Sequence, residues 1–138
     1  MTTVEFKIKV KANNLFKYAS FKLTRIENGQ TLVEYECEGD YFKDADAHTH
    51  TAFNRIREKI NSKDEWFMIK GCRRDVHPSG RMLTWIYAYK LTIGKRVNDV
   101  EDKVMIFEEE EDYNSIVTVH EQKEFYKDWL DSIKGLPY

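Results

Sequence analysis

Gly71-Cys72-Arg73-Arg74-Asp75-Val76-His77-Pro78-Ser79-Gly80-Arg81 gathers three arginines, an aspartate and a histidine on one short connector. It lies between two apolar segments, Trp66-Phe67-Met68-Ile69 and Met82-Leu83-Thr84-Trp85-Ile86-Tyr87-Ala88-Tyr89. Guanidinium groups this close suit a forked grip on phosphate or carboxylate. The Pro-Ser-Gly turn adds backbone N–H donors of the kind that line an anion nest. Arg73, Arg74, Asp75, His77 and Arg81 are therefore the first candidate contact residues, since polar loops held by strands commonly carry recognition. The competing expectation is a solvated hairpin tip with an internal Arg–Asp75 pair, worth less than about 1 kcal/mol.

A second candidate is the acidic run Glu108-Glu109-Glu110-Glu111-Asp112, followed by Tyr113. Consecutive carboxylates repel one another, and a basic partner relieves that repulsion. Glu109, Glu110, Glu111 and Asp112, with Tyr113 as an aromatic anchor, are thus partner-binding candidates. A solvated acidic loop is the plainer expectation.

The remaining groups argue against catalysis. His48 and His50 stand two apart, which separates them by about 200° on a helix, whereas helical chelating pairs need spacings of three or four. Ser79 sits beside His77 and near Asp75, but loop neighbours seldom reach nucleophile–base geometry, and Gly-x-Ser-x-Gly is absent. Pro-Ser-Gly is ordinary turn chemistry. Cys72 and Cys37 fall in apolar segments without Cys-x-x-Cys spacing, so buried free thiols are expected. No residue is assigned a catalytic role, and neither a metal nor a cofactor is expected.

The elements that must position these groups follow from periodicity. Val4, Phe6, Ile8 and Val10 alternate with charged residues, which marks a half-buried strand. The next two strands meet at Glu27-Asn28-Gly29. Only a three-residue loop pairs Leu23 with Val33, Phe21 with Tyr35, Ala19 with Cys37 and Lys22 with Glu34, because a one-residue slip would flip every side chain. Gly29 is then expected in the left-handed region. Asp44 is read as the cap of a helix over about residues 45–60, with Thr49, Ala52, Phe53, Ile56 and Ile60 inward and Arg55, Arg57, Glu58 and Lys59 mostly outside. After a polar break at 61–64, two long strands are expected over 65–73 and 82–93, the second central in its sheet, and a short one over 104–107. Thr118-Val119-His120-Glu121 is a capping box opening a last helix with Phe125, Tyr126, Trp129, Leu130 and Ile133 on one stripe. Gly135 and Pro137 end it.

These elements predict an α+β fold, a two-layer, largely antiparallel six-stranded sheet with two helices in the order βββα-βββα. The 138 residues suit a single domain, 1–138, with architectural halves 1–62 and 63–138. A net charge of −2 gives no global attraction to nucleic acid or anionic membrane. No window reads as a membrane span and the N-terminus has no apolar leader core, so a cytoplasmic protein is expected.

Residues 71–80 resemble a Gly-x-Arg-x-Asp-Val-x-Pro-Ser-Gly loop of small bacterial α+β proteins, departing at Arg81, where that loop continues with methionine. Val117-Thr118-Val119-His120-Glu121-Gln122, leading to Phe125-Tyr126 and Trp129-Leu130, resembles their C-terminal helix. Those proteins are similar to immunity-type partners of secreted toxins. The resemblance implies a non-enzymatic protein-binding module, an immunity-type inhibitor of a toxin, and the acidic run makes a basic protein the expected partner. The alternative is a binder of a small phosphate or other anionic ligand, or a hydrolase, built on the Arg73–Arg81 loop.

Overall fold

The computed structural model describes residues 2–78 and 85–137. Arg81, Ser79 and the start of the expected 82–93 strand lie outside them. The chain is α+β, with two helices and antiparallel sheets. The single six-stranded sheet is corrected to two sheets. One has five strands in the order β4-β3-β2-β1-β5: β1 (Thr3–Ala12), β2 (Leu15–Arg25), β3 (Thr31–Cys37), β4 (Asp40–Asp46) and β5 (Glu65–Phe67). The other has three, with β7 (Tyr87–Lys90) central between β6 (Val76–His77) and β8 (Lys103–Met105). The helices are α1 (Thr49–Asn61) and α2 (Val119–Ile133).

The β2–β3 hairpin has the register that burial demands. Leu23 pairs with Val33, Phe21 with Tyr35 and Lys22 with Glu34, and Gly29 takes φ 80° in the three-residue loop. The next hairpin was not anticipated, and it replaces the first turn of the expected 45–60 helix. Cys37 pairs with Asp40, so Glu38 and Gly39 alone form the turn. Both have positive φ, 49° and 90°, as a two-residue hairpin turn of this twist requires. Residues 40–46 therefore extend the sheet. Asp44 is no helix cap; its carboxylate holds Arg55 at 3.1 Å, and His48 occupies the cap position of α1.

Thr49, Ala52, Phe53, Ile56 and Ile60 of α1 are buried as their spacing predicts. They cover the inner face of the five-stranded sheet, where Phe21, Tyr35, Phe67 and Phe107 pack ring against ring. The same cluster includes Val76, Ile86 and Ala88 of the second half. Arg57 corrects its expected outward position, being 1% exposed. On α2 the capping box forms: the Glu121 N–H donates to Thr118 Oγ1 at 3.2 Å, and the Thr118 N–H donates to Glu121 Oε1 at 3.2 Å. Leu130, expected on the buried stripe, is exposed.

The segment carrying the arginines departs most from expectation. Two long strands flanking a hairpin tip are replaced by β5, a 3-10 turn over Lys70–Cys72, and the short β6. Packing explains the interruption. The Gly71 N–H donates to Ile106 O at 2.9 Å, and a Cβ at Gly71 would lie 2.6 Å from Ile106 Cβ. Gln122 of α2 then turns its amide Nε2 toward the carbonyls of Gly71, Arg73 and Val76, at 2.8, 2.6 and 3.2 Å. Its Oε1 accepts from Arg57 Nη1, while Arg57 Nη2 donates to Val117 O. Carbonyls turned toward side-chain donors are unavailable to a ladder.

Candidate functional site

The arginine segment and the acidic segment, read as separate surfaces, meet. Arg73 grips Asp75 with Nε and Nη2, at 2.9 and 3.1 Å. Its Nη1 stands 2.9 Å from Glu110 Oε1. Backbone contacts impose this meeting: Ile69 bridges Glu109, the Glu110 N–H donates to Met68 O, and Arg73 bridges Ile116. Glu110 is 8% exposed. Burial alone would raise its carboxyl pKa, but the Asp112 N–H at 2.9 Å and the Arg73 guanidinium hold it below the usual carboxylate range. Arg74 turns elsewhere, to Glu121 at 3.7 Å, so it shares no anion site with Arg73. Arg73, Asp75 and Glu110 form an internal ion cluster; Glu109, Glu111 and Asp112 remain exposed, with Glu109 3.8 Å from Lys9.

His50 and His77 line one cleft of about 350 Å³ between the beginnings of α1 and α2, together with Lys123. His48 is exposed at the start of α1 and lines no part of it. His50 Nε2 donates to the Tyr87 carbonyl at 2.9 Å. The His77 ring stacks on Tyr126 at 3.8 Å. Burial, with help from the Lys123 charge, drives its pKa down to about 4, so the ring is neutral at pH 7. The Cys72 thiol is buried and its pKa is raised by that burial, which keeps it protonated and unreactive. Among the described residues no three His, Cys, Asp or Glu side chains are grouped as metal ligands would be. No described helix is long and apolar enough to cross a membrane.

Tyr113 leads to the surface that sequence reasoning missed. In the β1–β2–β5 register Lys11 faces Phe16 and Trp66, and Lys9 faces Tyr18, so these side chains share the outer side of the sheet. Tyr113 folds over that side, with its ring centroid 5.6 Å from Phe16. Lys9 lies 5.1 Å over the Phe16 ring, and Lys11 lies 5.8 Å over Tyr113. Phe16 is 46% exposed, Tyr18 65%, and Leu15 at the sheet tip 75%. Between Trp66 and Tyr113 opens a groove of about 270 Å³ with Met68 and Ile116 among its walls and Asn13 and Asp64 in its lining. Asn13 and Asp64 both hold left-handed backbone, φ 57° and 60°. A signal was available: β2 is apolar on both faces only at its first residues, Leu15, Phe16 and Tyr18, where one face should be wet.

A scan against protein-family models finds no match to this chain, and a search of curated proteins finds none either.

Proposed function

We propose that this chain is a non-enzymatic protein-binding module, an immunity-type inhibitor whose partner is a basic toxin. Its contact face is the outer side of the β1–β2–β5 sheet joined to the exposed carboxylates before Tyr113. The supporting observation is that Phe16 and Tyr18, 46% and 65% exposed, share that outer side beside a groove walled by Trp66 and Tyr113. Aromatic side chains around a groove, rimmed by charge, are how protein interfaces are anchored. The exposed carboxylates Glu109, Glu111 and Asp112, which precede Tyr113 in the chain, are the groups that would draw a positively charged surface, with Lys9 and Lys11 on the sheet beside them. A phosphate-ligand or hydrolase reading built on the arginine loop has less support, because Arg73 is already neutralised by Asp75 and Glu110.

The test is co-expression with the basic, toxin-like product of the adjoining reading frame. The chain should restore growth and co-purify as a stoichiometric complex. Combined Phe16→Ala and Tyr113→Ala should weaken that complex at least about tenfold while leaving the far-UV spectrum unchanged. No adjoining toxin, no rescue, or a complex indifferent to both substitutions would each reject the reading.

A further inference from the structure

We propose that the groove between Trp66 and Tyr113 receives Tyr18 of a second copy of this chain, so that two β1–β2–β5 faces close on each other about a two-fold axis. The lining selects the occupant. Its charged residues, as described, are Lys11 and Asp64, one of each sign, so neither a cationic nor an anionic side chain gains a net attraction there. A neutral tyrosine answers both. The Lys11 ammonium, 5.8 Å over the Tyr113 ring, attracts the face of an incoming ring by the same force. The Trp66 indole offers a plane for offset stacking, and Met68 and Ile116 add apolar wall. Asp64 Oδ1 already accepts the Trp66 indole N–H at 3.0 Å, which leaves Oδ2 to accept a phenol hydroxyl.

The chain carries that tyrosine on the same face. Tyr18 pairs with Lys9 in the β1–β2 register, two residues along the outer side from the Lys11–Phe16 pair beside the groove, and it is 65% exposed. A knob and its hole on one face make a patch that is its own complement. A two-fold axis between two such patches forms both contacts at once and leaves none open. Charge is matched in the same way: Lys9 stands with Glu109, and Lys11 with Asp64, so each copy presents both signs to the other. The apolar cleft at the end of α2 lacks this property. Beside Leu130, Ile133 and Leu136 its described lining has Arg96 and Lys134 and no carboxylate, so two copies of it would set like charges together. The self-association does not rest on the toxin reading. Because it covers the face proposed for the toxin, the second copy and the toxin exclude each other.

The experiment is sedimentation of the full chain over a wide concentration range. A reversible monomer–dimer equilibrium is expected. Tyr18→Ala, at an exposed position that leaves the fold intact, should weaken it at least about tenfold. Tyr18→Phe, which keeps the ring and loses the hydroxyl, should weaken it less, and Tyr18→Arg should be as poor as alanine. Tyr113→Ala damages the hole and should also weaken the dimer. An equimolar mixture of Tyr18→Ala and Tyr113→Ala proteins should associate more tightly than either alone, since one intact knob then meets one intact hole. A chain monomeric at every concentration, a dimer indifferent to Tyr18→Ala, or a mixture no tighter than its components would overturn the assignment. A monomeric chain that still bound the toxin through Phe16 and Tyr113 would reject the self-association alone. A tyrosine-dependent dimer with no toxin to bind would leave the self-association standing and reject the toxin reading.

Discussion

The Arg73 guanidinium stands 2.9 Å from the Glu110 carboxylate, and this single contact redefines which charges are available for recognition. Each segment, taken alone, is a run of like charge that invites an external partner. Folded together, they satisfy each other at side-chain exposures of 18% and 10%. Among the described residues of the two runs, what remains exposed is Arg74 on one side, and Glu108, Glu109, Glu111 and Asp112 on the other. Tyr113 is carried by the same backbone onto the outer face of the sheet.

Arg73→Ala and Glu110→Ala should each lower stability by about 2 kcal/mol, the usual scale for a partly buried, charge-assisted pair. The double substitution should cost less than the sum, because each single change already removes the same contact. Urea denaturation of the four proteins measures the coupling, and strict additivity would show the pair to be incidental. The carboxyl of Glu110 is held below its unfolded value, so its contribution is present above the unfolded carboxylate pKa and disappears as pH falls through the lower folded one.

His77 should produce a separate loss of stability at milder acidity. Its pKa is about 4 in the folded chain against an ordinary 6.5, because burial disfavours the imidazolium. The unfolded chain therefore binds a proton first, and stability falls as pH drops from 6.5 toward 4. The full shift corresponds to about 3 kcal/mol. His77→Phe, which retains a ring to stack on Tyr126, should flatten the decline in melting temperature across that interval. An unchanged slope would mean that the ring is not buried as described.

Local chemistry accounts for what could be read in advance. The Glu27–Gly29 turn and the Thr118–Glu121 box are encoded within a few residues, and both form as expected. The missed β4 is also local, but its turn is Glu38-Gly39, and glutamate gives no hint of left-handed backbone where asparagine or aspartate would. The expected strand at 65–73 failed for a distant reason. Its apolar pattern is real, yet Gln122 and Ile106 claim the backbone of residues 71–76 from far along the chain. The site divided in the same way. Tyr113 carried a sequence signal, whereas the union of Arg73 with Glu110, and the pairing of Trp66 with Asp64 beside Tyr113, depend on how sheet and loop cross.

Gly71→Ala tests the packing that interrupts this strand. The added Cβ would sit 2.6 Å from Ile106 Cβ and 3.0 Å from its carbonyl oxygen. Both atoms are anchored, because the Ile106 N–H donates to Ile86 O. No flexible side-chain end can yield, so a loss of about 1–3 kcal/mol is expected. Chemical denaturation measures it, and a neutral result would show that the two backbones separate freely.

Gln122→Leu should be the most damaging of these changes. It removes the donor shared by the carbonyls of Gly71, Arg73 and Val76 and the acceptor facing Arg57 Nη1. Among the described residues every hydrogen-bond partner of Arg57 is a neutral oxygen, so the substitution leaves a buried cation with one oxygen fewer. Each buried group left unsatisfied costs about 1–3 kcal/mol. Adding Arg57→Met removes the buried charge and should recover part of the stability, leaving mainly the penalty for the carbonyls that lose their donor. Equilibrium unfolding of the single and double variants reads both quantities. If Arg57→Met made the Gln122→Leu protein still less stable by its full single-site cost, the two side chains would not be acting as one network.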